Sequence, residues 1–147
     1  MADTLGHRRS RPLAISGRRI ASTLLAIPIV CFAGAVLTDW AYLGSDGHLT
    51  WLFFSTWLIP AGLVVGGFAA VALLIDAVRL RGGWLAFLLF VAAWAVELIN
   101  SFVHMRDGWT AVAGLGIILS VIGAVLALLS GWFAAGDRPV AGWEERR

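Results

Sequence analysis

Four long apolar runs, separated by short polar segments, dominate this sequence of 147 residues. An α-helix rises about 1.5 Å per residue, so about 20 apolar residues cross the roughly 30 Å hydrocarbon core of a bilayer. Each run is about that long or longer; the runs cover residues 20–38, 49–75, 82–103 and 108–136. Lipid offers the backbone no hydrogen-bond partners, and the sequence lacks the alternating short strands of a membrane barrel. The sequence therefore predicts four transmembrane helices.

These runs predict an all-α fold, an integral membrane four-helix bundle, formed by residues 20–136. An arginine-rich segment precedes it at residues 1–19, and a short tail follows at residues 137–147. We place the four spans at about residues 20–38, 51–75, 84–103 and 111–134. Only 14% of the residues are charged and 60% are hydrophobic, whereas a soluble domain has about 25% charged residues. Lipid is therefore the expected solvent for most of the chain.

The flanking segments are too short for a catalytic domain. The sequence contains no phosphate-binding loop, nucleophile elbow or zinc-protease motif. We therefore expect that the chain is not an enzyme.

The placement of arginine predicts the orientation in the membrane, because positively charged loops stay on the cytoplasmic side. Four spans place residues 1–19, 76–81 and 137–147 on one side, and these segments hold ten of the eleven arginines. The opposite side has Arg106 alone. We predict a bacterial inner-membrane protein with both termini in the cytoplasm. Because the arginines flank apolar runs, we interpret them as topology signals and expect no nucleic-acid partner.

The first span has an alternative interpretation as a cleavable signal peptide, because an arginine-rich start and an apolar stretch precede the small residues Ala33, Gly34 and Ala35. The apolar run continues to Leu37, which is long for a signal peptide. We expect the first span to be retained.

Aromatic residues support the same frame, because amphipathic rings favour the headgroup level. Six of them flank the predicted spans: Trp40, Tyr42, Trp51 and Trp109 on the outer side, and Trp84 and Trp132 on the inner side. Trp57 and Trp94 fall deeper along their spans, and we interpret them as packing residues.

Glu97 is the ionisable residue that falls deepest within a predicted span. It precedes His104 by seven residues, which places it about 10 Å below the outer end of the third span. Asn100 lies three residues after Glu97 and four before His104, so all three share one helix face. Asp39 stands at the outer end of the first span. Ser55 and Thr56 reach a similar depth on the second span.

These six residues form a candidate polar site with two interpretations. In the first, they line a proton- or cation-accessible site that opens outward and has Glu97 as its deepest member. In the second, which we favour, Glu97 is a buried carboxyl, protonated or ionised, that hydrogen-bonds Ser55, Thr56 or Asn100 and fastens helices together. His48 and His104 are too few for a metal site, and His48 is predicted in a loop. We therefore expect no haem, metal or other cofactor.

Small residues recur on two spans, where they let helix backbones approach closely. One stripe contains Gly62 and Gly66, and others contain Gly116, Ser120, Ala124 and Gly123, Ala127, Gly131. We interpret these stripes as contacts within one bundle. The alternative is a homo-oligomer that forms through one of them.

Three stretches carry a resemblance to a known family: residues 37–42, 54–64 and 100–110, with Gly131-Trp132 closing the last span. The chain resembles a group of small bacterial predicted membrane proteins with four spans, catalogued as a domain of unknown function. The resemblance covers about residues 20–133. Such proteins often open span one with a His-Pro pair and have a histidine near the start of span three. Here Ala21-Ser22 and residues 84–86 stand in those places. The resemblance implies a bacterial inner-membrane protein without an established activity.

Three functions are therefore considered. The leading hypothesis is a non-enzymatic scaffold or an accessory subunit of a larger membrane complex. The second is a small oligomeric transporter or proton-conducting element that uses Glu97, Asn100 and His104. A haem or quinone redox subunit is the third, and the sequence favours it least.

Overall fold

The computed structural model describes residues 17–80, 82–106 and 112–136, and this part of the chain folds into four α-helices. The helices are α1 (Gly17–Gly44), α2 (Leu49–Leu80), α3 (Trp84–His104) and α4 (Leu115–Gly136). Each contains a stretch long and apolar enough to cross a membrane. The predicted all-α four-helix architecture is confirmed. The orientation in the membrane and the exact limits of the spans remain predictions.

The helices pack in a ring in which each contacts two neighbours, in the order α1, α2, α3, α4 and back to α1. Helices α1 and α3 therefore face each other across a diagonal. The turn between α1 and α2 is tight: Asp46 and Gly47 both have positive φ, and the Gly47 amide donates to the Tyr42 carbonyl oxygen at 3.2 Å. This turn lies at the same end of the bundle as the last turn of α3 and the start of α4, and we call it the α1–α2 loop end.

Helix α1 continues past the predicted outer end of the first span. The sequence places residues 39–44 in a loop, because an aspartate is a natural boundary for an apolar helix. In the structure Asp39 lies inside the helix and is fully buried. Its carboxyl is hydrogen-bonded within the bundle, so the charge does not end the helix.

Away from the α1–α2 loop end the interior is mostly apolar, and Ser130 is a buried polar side chain there that donates to the Ala86 carbonyl oxygen. One cluster centres on Phe32, Ile59 and Ala93, and a second on Leu25, Leu73 and Phe90. Many large apolar side chains instead point outward, as expected for helices that lie in lipid. Much of the apolar surface therefore faces outward, and small residues lie at contacts between helices.

Four glycines of the predicted stripes lie against a neighbouring helix of the same chain. A Cβ on Gly62 would lie 2.6 Å from the Phe32 ring, and one on Gly66 would lie 3.1 Å from Trp94. On α4, Gly123 faces Glu97 and Gly131 faces Ile29. These glycines serve packing within the bundle, as the interpretation we favour requires. The oligomeric state remains a prediction.

Two aromatic expectations are wrong. Trp57 is interpreted from the sequence as a packing residue, but 74% of it is exposed on the outer surface of the bundle. Tyr42 is expected in the interfacial ring of aromatics, but it is 3% exposed and lies in the interior. Trp94 does pack inside, where its indole Nε1 donates to the Leu63 carbonyl oxygen at 2.9 Å.

Candidate polar site between three helices

Five polar side chains from three helices meet inside the bundle near the α1–α2 loop end. Asp39 comes from α1, Ser120 from α4, and Glu97, Asn100 and His104 from α3. His104 is 3% exposed and the other four are fully buried. Four of the five were predicted from the sequence. Buried polar groups of this kind are costly unless they are hydrogen-bonded, so their partners decide what the site can do.

The helical spacing of α3 brings its three polar residues together. The Asn100 amide Nδ2 donates to Glu97 Oε2 at 3.0 Å, one turn earlier on the helix. His104 lies one turn after Asn100, and its Nδ1 is 3.1 Å from the backbone carbonyl oxygen of Asn100. The predicted polar face of α3 thus exists, and its members bond to one another.

Contacts between helices close these residues into a ring. His104 Nε2 lies 3.0 Å from Asp39 Oδ1, across the diagonal of the bundle. The Ser120 hydroxyl donates to Asp39 Oδ2 at 2.6 Å, and the Asn100 amide donates to the Ser120 hydroxyl at 2.8 Å. We call Asp39, Asn100, His104 and Ser120 the polar ring. It joins α1, α3 and α4 by hydrogen bonds.

Counting hydrogens fixes the charge of the Asp39–His104 pair. A backbone carbonyl can only accept, so His104 Nδ1 must carry a hydrogen that it donates to Asn100. The contact between Nε2 and Oδ1 needs one further hydrogen, which either atom can hold. The pair is therefore a carboxylate with an imidazolium, or a carboxylic acid with an imidazole. Either form has no net charge, which suits a site buried in a membrane.

The same count shows what a haem ligand at this position would disturb. Both ring nitrogens of His104 are engaged, so binding to iron would break one of these hydrogen bonds. Within the described residues, no three His, Cys, Asp or Glu side chains are grouped so that they could hold a metal ion.

Glu97 is the deepest member of the site, and it packs against a glycine of α4. A Cβ on Gly123 would lie only 2.6 Å from Glu97 Cδ and 2.7 Å from Cγ, so the carboxyl occupies the space that a side chain would fill. Among the described residues, Glu97 Oε1 and Asn100 Oδ1 are two buried atoms of this site that have no hydrogen-bond partner. The hydrogen bond from the Asn100 amide therefore links Glu97 to the polar ring.

Ser55 and Thr56, the other two predicted members, hydrogen-bond elsewhere. Their hydroxyls donate to the Leu52 carbonyl oxygen of their own helix, at 3.1 Å and 2.8 Å. Of the three partners expected for Glu97, the recorded bond is to Asn100. Ser and Thr often bond the preceding turn in this way, which satisfies the hydroxyl without linking helices.

Ser120 is the member that sequence reasoning missed. It was noticed only as one small residue of a stripe with Gly116 and Ala124. The available signal was its hydroxyl, because a serine in a membrane helix interface commonly bonds a neighbouring helix.

Comparison with known proteins gives one family match. A family model described as "Predicted membrane protein (DUF2231)" matches residues 19–140, which is most of the chain. Among curated proteins and solved structures, none matches the chain significantly. The resemblance predicted from residues 20–133 is thereby confirmed.

Proposed function

Because the chain belongs to this family of predicted membrane proteins, we propose that it acts within the bilayer as a non-enzymatic helical scaffold, as an accessory subunit of a larger membrane complex. The supporting observation is the closed polar ring. It joins three helices while its members stay 0–3% exposed. A site for chemistry or transport needs access from one side of the membrane, whereas a fastening site needs none.

We propose the orientation that the arginines predict, with both termini in the cytoplasm of a bacterium and the chain in its inner membrane. The α1–α2 loop end, and with it the polar ring, then belongs to the outer half of the bilayer. Green fluorescent protein fused to either terminus should fluoresce, since it folds only in the cytoplasm. Fluorescence from one fusion alone would contradict this topology.

Native gel electrophoresis tests the scaffold role. Tagged chain extracted from its own membrane in mild detergent should migrate as a larger assembly than the purified chain in the same detergent. Mass spectrometry of that band should find other membrane proteins in fixed ratio. Migration identical to that of the purified chain, in several mild detergents, would argue against an accessory subunit.

A small proton- or cation-conducting element is the second candidate, and the unpartnered Glu97 Oε1 favours it. The hydrogen bonds of the polar ring, however, argue against proton conduction. Between Glu97 and the other members stands the Asn100 amide, which donates in both directions. An amide N–H does not pass on a proton as a hydroxyl or imidazole does, so the chain of hydrogen bonds is interrupted there.

Reconstitution into liposomes separates the two candidates. Proton and sodium flux should equal that of protein-free liposomes, both for the wild type and for Glu97→Gln. A flux in the wild type that Glu97→Gln abolishes would overturn the scaffold proposal in favour of conduction.

A further inference from the structure

We propose that Glu97 is a proton-binding site: Oε1 holds a proton and donates it to Asn100 Oδ1, so that the two side chains form a cyclic acid–amide pair. The ligand is a single proton. Its binding forms one O–H bond on Glu97 and one hydrogen bond to Asn100. This assignment concerns the state of the site and does not depend on the scaffold role.

Two buried acceptors of a bonded pair support the proposal. Within the part of the chain that the structure describes, Glu97 Oε1 and Asn100 Oδ1 have no donor, and they belong to side chains that already share one hydrogen bond. An unsatisfied buried polar group destabilises the fold, because it has lost its hydrogen bonds to water. One added hydrogen on Oε1 satisfies both atoms at once. The existing bond from Asn100 Nδ2 to Oε2 is then the other half of the pair.

Among the described residues of the polar ring, every donor is already engaged. Both amide hydrogens of Asn100 are used, one on Glu97 and one on Ser120. The Ser120 hydroxyl donates to Asp39. Both nitrogens of His104 are engaged with Asn100 and Asp39. Of the groups in this described part of the site, Glu97 itself is left to hold the missing hydrogen.

The charges around Glu97 also favour its protonated form. The titratable groups linked to Glu97 through Asn100 and the polar ring are His104 and Asp39, and this pair has no net charge. Helix α4 presents the Ser120 hydroxyl and the backbone of Gly123. Further along α1 is the Tyr42 phenol, and the charged residues of α2, Asp76 and Arg79, lie near its opposite end. Arg106 is exposed beyond His104. A carboxylate at residue 97 would thus be an unpaired charge in the membrane interior.

The close packing around the Glu97 carboxyl favours a proton as its ligand. Because the Glu97 carboxyl fills the notch at Gly123, the side of Oε1 that faces α4 is occupied by backbone. A proton needs no cavity, whereas a sodium ion with its ligand oxygens needs several ångströms. The packing therefore favours the proton over a cation of another kind.

Infrared spectroscopy of the whole protein in nanodiscs tests the proposal. The chain has three glutamates, Glu97, Glu144 and Glu145, so ¹³C-glutamate labelling moves few carboxyl bands. At neutral and mildly alkaline pH, we expect a protonated-carboxyl C=O band that shifts on ¹³C labelling and on exchange into D₂O. Glu97→Gln should lose this band, and the matched double variant Glu144→Gln/Glu145→Gln should keep it.

The same variants test the pairing. In Glu97→Gln, the new side-chain amide can donate from its nitrogen to Asn100 Oδ1 and accept from Asn100 Nδ2 through its oxygen. This substitution keeps both hydrogen bonds of the pair and leaves one amide hydrogen without a partner, so we expect it to lower the melting temperature less than Asn100→Ala does. In the wild-type background, Asn100→Ala should move the C=O band to the frequency of a non-hydrogen-bonded acid. If a variant fails to fold, isotope labelling of the wild type still decides.

Carboxylate bands from Glu97 at neutral pH would overturn the proposal, and bands that change with sodium would identify a bound cation instead. Either result leaves the native-gel test of the scaffold untouched. Conversely, the absence of a larger assembly would remove the scaffold and leave the protonated Glu97 in place.

Discussion

At two contacts between helices, a side chain packs against a glycine of the neighbouring helix, but one of these side chains is apolar and the other is polar. We call the α1–α2 contact the apolar seam and the α3–α4 contact the polar seam. Between α1 and α2, the notch at Gly62 receives the Phe32 ring. Between α3 and α4, the notch at Gly123 receives the Glu97 carboxyl. The apolar seam needs only complementary shape, because Phe32 has no hydrogen bonds to satisfy. The polar seam needs shape together with a complete set of donors and acceptors, which the polar ring and one proton supply. Its tolerance to substitution should therefore follow hydrogen-bond chemistry more than volume.

The largest effect is expected at Asp39, which ties α1 to α3 and α4. Asp39→Ala should destabilise the bundle by about 3 kcal/mol, because it leaves His104 and Ser120 buried without their shared acceptor. Asp39→Asn should cost far less, since an amide can accept from Ser120 and donate to a neutral His104. Reversible unfolding in mixed detergent micelles measures both. Equal losses for the two variants would show that the polar ring needs the carboxyl itself and that an amide of the same shape does not replace it.

Overfilling the two notches compares the seams directly. Gly123→Ala and Gly62→Ala should each destabilise by about 1–3 kcal/mol, because the new methyl group overlaps Glu97 or Phe32. Gly67→Ala is the matched control, since no atom lies near its added Cβ, and it should be nearly neutral. The measurement is again the unfolding midpoint in detergent.

A double-mutant cycle distinguishes the causes. In a Glu97→Ala background, Gly123→Ala should cost much less, whereas the cost of Gly62→Ala should be unchanged. If the cost of Gly123→Ala stays the same without the Glu97 carboxyl, then the notch does not serve that side chain.

The sequence predicted the fold because its strongest signals are long and local. Four apolar runs need only lipid as solvent to specify four helices, and a period of 3.6 residues places Glu97, Asn100 and His104 on one face. The arrangement of helices in space is not local. The hydrogen bond from His104 to Asp39 crosses a diagonal of the bundle, and nothing in the spacing of either helix indicates which helices face each other.

The misses have the same origin. In the sequence, Ser120 and Ser55 are both single hydroxyls in apolar runs. In the structure, Ser120 donates to Asp39 on another helix, whereas Ser55 donates to the backbone of its own helix. Trp57 and Trp94 look alike as deep tryptophans, yet only Trp94 reaches a neighbouring carbonyl oxygen. In lipid both faces of a helix can be apolar, so composition does not distinguish the inner face from the outer one.

A smaller effect should separate the two buried serines of α4. Ser120→Ala should cost about 1–2 kcal/mol, because it removes a donor from Asp39 and an acceptor from Asn100. Ser130 donates only to the Ala86 carbonyl oxygen on α3, at the apolar end of the bundle. Ser130→Ala should therefore cost about 0.6 kcal/mol, a typical value for one interhelical hydrogen bond in a membrane. The unfolding midpoints should rank in that order, and the reverse order would mean that the ring is not a unit.

The smallest effect is expected at Ser55 and Thr56, the two predicted site residues outside the ring. Ser55→Ala and Thr56→Val should each change stability by less than about 0.5 kcal/mol, because both hydroxyls donate only to Leu52 within α2. Ser55 is as fully buried as Ser120, so burial alone would predict equal losses for their alanine variants. Their comparison by unfolding midpoint thus isolates the value of bonding across helices. A loss at Ser55 as large as that at Ser120 would mean that α2 also belongs to the polar seam.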